Sequence, residues 1–239
     1  MLAFLIGISV ITSAISAFTG VAGGIALIAI MPYFLPINAI IPLHGIAQAA
    51  SNISRAYLMH KKLAYMDFFK FISGGILGAV IFGFGIRFVH LDAIPLFIGI
   101  YILLTQHSKS FNALLRRVES FYLLGFLQVG LGLFVGTPGP LAITLLNKRY
   151  DDIERVIGTS ALMMSVVHLL KVPVYMTLGF EFESYIWLMI FLIIAAFLGS
   201  ILGNRLLKRI DQRLIKRAMP WLLSILALQL IIRQVIKIF

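Results

Sequence analysis

The sequence predicts an all-α polytopic membrane protein made of two inverted-topology repeats, each a broken-helix hairpin followed by three transmembrane helices. Three observations carry that prediction. The chain of 239 residues is 61% apolar and 12% charged, with a mean hydropathy of +1.02, whereas soluble domains carry about 25% charged residues. Two glycine- and proline-rich breaks, Gly20-Val21-Ala22-Gly23-Gly24 and Gly136-Thr137-Pro138-Gly139-Pro140, interrupt what hydropathy would otherwise join into long helices. The basic residues fall in short clusters between apolar runs, where the positive-inside rule places them.

At roughly 20 apolar residues per spanning helix, the chain has room for about seven to ten crossings and for no sizeable soluble domain. The net charge of +11 belongs to the loops, so nucleic acid is not an expected partner. Cysteine is absent, which excludes thiol catalysis, disulfides and cysteine-based metal centres. Leu2 to Phe18 has no basic residue before it and runs straight into further apolar sequence. It is therefore read as a membrane segment and not as a cleaved signal.

The apolar runs in order are Leu2 to Phe18, Ile25 to Leu35, Ile40 to Met59, Phe68 to Val89, Ile94 to Thr105, Phe121 to Val135, Leu141 to Leu146, Ile153 to Leu178, Tyr185 to Leu207 and Met219 to Ile238. The two shortest each follow a break. Glycine frees the backbone and proline removes a donor, so no helix should pass through either break. Irregular backbone within hydrocarbon is tolerated only where protein or a wet cavity surrounds it.

Charge then selects the topology. If each broken segment crosses once, Lys61/Lys62 and Lys109/Arg116/Arg117 lie opposite the richest cluster, Arg205, Lys208, Arg209, Arg213, Lys216 and Arg217. If each is a hairpin that returns to its own side, all of these share one face with Lys148 and Arg149. The opposite face then holds the Pro36 to Ile41 link, Arg87 with Asp92, and Glu181/Glu183, with Arg233 and Lys237 also outside. The hairpin arrangement agrees with the positive-inside rule, and the Arg205 to Arg217 stretch becomes an amphipathic cytoplasmic connector. It also gives each half three full crossings, an odd number that inverts the second half. The halves are residues 1–117 and 118–239. Gly20 and Gly136, Gly23 and Gly139, Asn52 and His168, and Arg55 and Lys171 are all 116 residues apart, the sort of correspondence inverted-repeat transporters carry.

The pattern Gly20-x-x-Gly23-Gly24 followed by Pro32, with its counterpart Gly136-x-x-Gly139-Pro140 followed by Gly158-Thr159-Ser160, resembles the TauE/SafE sulfite-exporter family over essentially the whole chain. Ala22 stands where that family often has a third glycine, and Leu43-His44-Gly45 stands where Gly-Thr-Ser is expected. Those departures bear on the substrate and leave the class intact. The resemblance implies a permease of the prokaryotic plasma (inner) membrane for a sulfur-containing anion such as sulfite, a sulfonate or sulfoacetate.

The residues themselves point to an anion site. His44, Gln48, Ser51, Asn52 and Arg55 fall within about a 100° stripe of one helix, and Ser160, His168 and Lys171 within about 80° of another. Polar residues in a span face a cavity or a partner. Arg55 and Lys171, in matched positions, are expected to converge on an oxyanion, with Arg55 making bidentate contact. Half-helix ends beside Gly23, Gly24 and Gly139 offer N–H groups to the same anion. His44 and His168 titrate nearest neutral pH, which suits proton coupling. The candidate substrate-binding residues are Gly20, Gly23, Gly24, His44, Gln48, Asn52, Arg55, Gly136, Thr137, Gly139, Thr159, Ser160, His168 and Lys171. Gly74/Gly78 and Ala195/Gly199/Gly203 read as small-residue packing seams.

The expected function is alternating-access transport of a small anion. The alternatives are an anion channel, which uses the same polar groups, and a membrane scaffold or assembly protein. No intramembrane carboxylate pair, metal cluster or nucleophile–base pair is present in the sequence, so no enzyme, metal or cofactor is expected. The expected partners are the small anionic substrate and the lipid bilayer, and the sequence is compatible with a homodimer.

Overall fold

The computed structural model describes residues 2–19, 22–138, 141–206 and 212–238, and every regular element among them is helical. Helices α1 (Leu2–Thr19) and α2 (Ala22–Ile30) flank the first break; α3 (Ile37–Leu58), α4 (Tyr65–Gly85), α5 (Ile94–His107) and a short surface helix α6 (Lys109–Arg116) follow. Helices α7 (Phe121–Val135) and α8 (Leu141–Arg149) flank the second break, and α9 (Ile153–Leu169), α10 (Lys171–Thr177), α11 (Ile186–Leu206) and α12 (Gln212–Ile238) complete the chain. Both breaks stand where glycine and proline predict them. Gly20 and Gly139, two of the candidate site residues, lie outside the described residues, as do Lys208 and Arg209 of the basic connector.

Local chemistry sets several boundaries. Pro173 has no N–H for the carbonyl of Leu169, and α9 ends there, one residue before Lys171 opens α10. The run from Ile153 to Leu178, expected as one helix, is therefore two. Asp152 caps α9 by accepting N–H bonds from Glu154 at 3.0 Å and Arg155 at 3.4 Å, a contribution of about 1 kcal/mol.

Four segments are long and apolar enough to cross a membrane, Tyr65–Phe88, Ile153–Thr177, Phe182–Gly203 and Arg217–Ile236, and shorter apolar helices accompany them. This is a multi-pass membrane protein. Helix α3, with 22 residues, is missing from the four despite its length. Its polar stripe dilutes its hydropathy, and it is buried against α9, α11, α10 and α1.

Side-chain contacts define two ends of the bundle. At the basic end, Lys62 pairs with Glu154 at 2.7 Å and Asp152 at 3.3 Å, Lys148 with Glu119 at 3.5 Å, and Arg149 with buried Asp67 at 3.4 Å. The two carboxylates on Lys62 raise its pKa, hydrogen bonding to Glu154 contributing most. At the opposite end the Phe4 and Phe34 rings lie 5.9 Å apart, and Tyr33 donates to Gln229 at 3.3 Å. Phe4 opens α1 and Phe34 follows α2, so the first hairpin returns to the end it started from. Glu119 precedes α7 and Lys148 closes α8, so the second hairpin does likewise at the basic end.

Helix α1 packs along α11, α4 along α7, α5 along α12 and α3 along α9. Glycine makes two of these seams. Gly74 and Gly78 lie against the backbone of Tyr122 and Phe126, and Gly199 and Gly203 against that of Val10 and Ala14, each too close to admit a Cβ. Both seams are parallel helix pairs, and they match with the halves exchanged, since α1 and α7 open the two halves while α4 and α11 stand in like places.

Candidate substrate site

The polar centre is assembled on α3 and α9, the two helices that face each other across the middle of the bundle. His44, Gln48, Asn52, Arg55, Thr137, Thr159, Ser160, His168 and Lys171 are all buried, and so are Gly23, Gly24 and Gly136. Asp67 is the buried carboxylate among the described residues, and it sits in the first turn of α4, engaged by Arg149 and by the Tyr150 hydroxyl at 2.6 Å. The centre is therefore cationic and polar without a counter-carboxylate.

The first hairpin meets α3 through its glycines. His44 Nε2 lies 2.9 Å from the carbonyl of Gly24; a carbonyl only accepts, so the ring proton is on Nε2 and Nδ1 is left as an acceptor. Among the described residues that Nδ1 has no hydrogen-bond partner, and neither does Gln48 Nε2. A Cβ on Gly24 would lie 2.8 Å from Gln48 Oε1, and one on Gly23 would lie 2.5 Å from Ser16 Oγ. The carboxamide and this hydroxyl thus crowd the start of α2. Asn52 Nδ2 donates to the Gln48 carbonyl at 2.7 Å, and Arg55 donates to Ser16 O at 2.7 Å and Asn52 Oδ1 at 2.5 Å.

The second hairpin is held differently. Gly136 has φ +75°, a conformation that favours glycine, and its carbonyl accepts from Lys171 Nζ, which also lies 3.1 Å from His168 Nδ1. Tyr175 donates to Leu133 O at 2.9 Å, and Tyr101 donates to Pro138 O at 2.5 Å. The His44 and His168 rings meet edge to face, 5.6 Å between centroids.

Arg55 and Lys171 hold different carbonyls, Ser16 O and Gly136 O. A Cβ on Gly45 would touch Lys171 Cδ at 3.2 Å, so Lys171 meets α3 ten residues before the Arg55 position, about 15 Å along the helix axis at 1.5 Å per residue. Each cation instead meets the C-terminal carbonyls of its own hairpin's first helix, α1 for Arg55 and α7 for Lys171. A cation there stabilises the negative end of the helix by about 0.3 to 2 kcal/mol. Thr159 and its neighbour Ser160 also stand apart from the glycine breaks. Thr159 Oγ1 accepts from Ala64 N at 2.9 Å, which ties the loop before α4 to α9 near the basic end. The stripe on α3, by contrast, gathers as its helical spacing demands.

Sequence reasoning passed over four contributors: Tyr101, Tyr175, Asp67 and the hydroxyl residues of α1. The tyrosines carry no signal beyond their apolar setting. Ser9, Thr12, Ser13 and Ser16 do, since they repeat the spacing of the polar residues on α3.

Fold and site together define a multi-pass membrane protein whose buried polar centre holds no carboxylate among the described residues. Residues 5–230 match the family described as Sulfite exporter TauE/SafE. The chain belongs to that family, which is one of transporters and not of enzymes. No match was found among curated proteins or solved structures.

Proposed function

We propose that the chain is an alternating-access secondary transporter for a small sulfur-containing oxyanion, of the sulfite, sulfonate or sulfoacetate kind, in a prokaryotic plasma membrane. The observation that carries this is the start of α2, where the Gln48 carboxamide lies against Gly24 and Ser16, held by Arg55, lies against Gly23, all buried and with no carboxylate near them among the described residues. Buried donors left unmade cost about 1 to 3 kcal/mol each, and a bound anion relieves that cost. Helix N-termini favour negative charge. The two hairpins, opening at opposite ends and packed through exchanged seams, support inverted repeats over residues 1–117 and 118–239. Burial of the whole polar stripe supports a carrier with an occluded state over an open pore. Proton coupling belongs to the same proposal: His44 Nδ1 is a buried acceptor beside the anion site, and His168 links it to Lys171.

Reconstitution into liposomes tests this. Uptake of sulfite or sulfoacetate should saturate, should be accompanied by proton movement, and should lose that movement in His44→Gln. Uptake that rises linearly with concentration would replace the carrier with a channel, and indifference to every anion offered would remove the function altogether.

A further inference from the structure

At the basic end the two halves of the chain are fastened to each other. Met59 to Asp67, which lead from the end of α3 into α4, lie against Arg149 to Thr159, which lead from the end of α8 into α9. Lys62 pairs with Glu154 at 2.7 Å and Asp152 at 3.3 Å, and its carbonyl accepts from Arg155 Nε at 3.1 Å. Ala64 N donates to Thr159 Oγ1 at 2.9 Å. Buried Asp67 accepts from the Tyr150 hydroxyl at 2.6 Å and pairs with Arg149 at 3.4 Å. Gly158 closes the middle of this joint, since a Cβ on it would lie 2.7 Å from Met59 Cβ and 3.0 Å from Leu63 Cδ2.

The 116-residue correspondence supplies a second joint for comparison. Met59 to Asp67 correspond to Tyr175 to Glu183, and Arg149 to Thr159 correspond to Tyr33 to Leu43. The place of Lys62 is taken by Leu178 and that of Glu154 by Asn38. Tyr33 to Leu43 contain no charged residue, so no side-chain ion pair can cross this second joint. Where the first joint has its salt bridge, Asn38 and Leu178 instead line a cavity of about 100 Å³ together with Tyr175, Gly179 and Phe180. Each joint stands next to one of the buried cations. Arg55 is in the last turn of α3, just before Met59, and Lys171 is four residues before Tyr175. Asn38 lies six residues before His44 on α3, about 9 Å along the helix axis.

We propose that the basic-end joint is a gate, shut in this structure, which must part for a small oxyanion to pass between the Arg55 region and the basic end, and that the Asn38–Leu178 cavity marks the opposite mouth. This rests on the transporter function proposed above. Polar contacts suit a joint that opens and closes. The Lys62, Asp152 and Glu154 side chains are about half exposed, so water replaces their pairing at little cost when the stretches separate. Asp67 is the costlier contact, because its carboxylate is buried and leaves a hydroxyl and a guanidinium behind. Together they hold the gate shut without locking it, while the uncharged joint at the other end has no such clasp.

The protein contains no cysteine, so introduced pairs report on the joints directly. Lys62→Cys/Glu154→Cys is reconstituted into liposomes and treated with a short bifunctional thiosulfonate, and sulfoacetate uptake is measured before treatment, after it, and after a phosphine reductant has cleaved the bridge. The bridge should form, should lower the uptake rate by about ten-fold or more because the conformational step is blocked, and should release it on reduction. Recovery on reduction shows that the variant is folded, and the two single-cysteine variants, treated alike, should keep their rates. Asn38→Cys/Leu178→Cys, bridged across the opposite mouth, should stop uptake in the same reversible way. Failure of the Lys62→Cys/Glu154→Cys bridge to form, or full uptake with it in place, would overturn the gate and leave a static clasp, with transport by the protein intact. Full uptake with the Asn38→Cys/Leu178→Cys bridge in place would overturn the opposite mouth. A wild-type protein that takes up no anion would remove the underlying function and the gate with it, a failure visible before any bridge is made.

Discussion

At the α7–α8 break three backbone carbonyls meet side-chain donors: Leu133 meets Tyr175, Gly136 meets Lys171, and Pro138 meets Tyr101. At the α1–α2 break the Ser16 carbonyl meets Arg55, while Ser16 Oγ, Gln48 Nε2 and His44 Nδ1 have no hydrogen-bond partner among the described residues. The two hairpins have the same outline, a helix of 15 to 18 residues, a glycine break and a helix of nine. Among the described residues, the carbonyls of the second break meet side-chain donors, and three buried side-chain atoms around the first have no hydrogen-bond partner. Unmade polar contacts in a buried site cost stability, so they persist where a ligand supplies the missing partner. On this comparison the second hairpin is the frame and the first is the part proposed to bind.

The comparison breaks most easily at Gly23. Its missing Cβ would overlap the Thr12 carbonyl and Ser16 Oγ, so Gly23→Leu should abolish uptake, whereas Gly7→Leu, with nothing near it, should leave uptake unchanged. Equal uptake by the two variants would detach the first hairpin from function. Arg55→Gln should raise the apparent Kd for the anion by about ten-fold or more, since a charge-assisted contact contributes on the order of 1.5 to 3 kcal/mol. Arg55→Lys should recover part of that loss, keeping the charge without the fork. Calorimetric titration reads both.

Tyr175→Phe and Tyr101→Phe address the frame. Each removes one neutral hydrogen bond of about 1 kcal/mol, and a melting scan should show Tm lower by about 2 to 4 °C with the anion's Kd unchanged. A shift in Kd instead would make the second hairpin a binding element too. The smallest effect belongs to Lys62, which clasps the loop after α3 to the start of α9. Its ammonium pKa is raised by Glu154 and Asp152, so its contribution is complete below about 10.4, the ordinary lysine value, and is lost as pH climbs through the raised one. Lys62→Ala should therefore lower Tm by no more than about 2 °C, by the same amount from pH 7 to 9, with the difference vanishing at higher pH. A topology scan sharpens the frame itself: tags at Lys61, Arg116 and Lys148 should report the cytoplasm, and one at Glu181 the other side.

The sequence made the breaks, the hairpins and the polar face of α3 legible, because glycine, proline and a 100° stripe are local signals that lipid makes stringent. The join between α9 and α10 was equally local, written in Pro173, and hydropathy averaged it away. What spacing does not reveal is direction. Arg55 and Lys171 occupy equivalent places in the 116-residue correspondence, yet each is turned to its own hairpin, Arg55 to Ser16 O and Lys171 to Gly136 O. Tyr101 and Tyr175 reach the second break from 37 residues before Pro138 and 42 after Leu133, so nothing near them in sequence announces the contact.

Helix α3 is the longest of the central helices and the one whose polarity excludes it from the four clear spans. Insertion into a bilayer is decided segment by segment, and polar and charged side chains oppose it. Such a segment gains little by entering lipid alone. Its lasting partners are α9 and α11, which follow it by about a hundred residues and more. During synthesis α3 must therefore wait, held by the translocation machinery or sheltered against α1 and α4, until the second half arrives to enclose it. The polarity proposed to hold an anion in the finished protein makes its assembly depend on the order in which the halves are born.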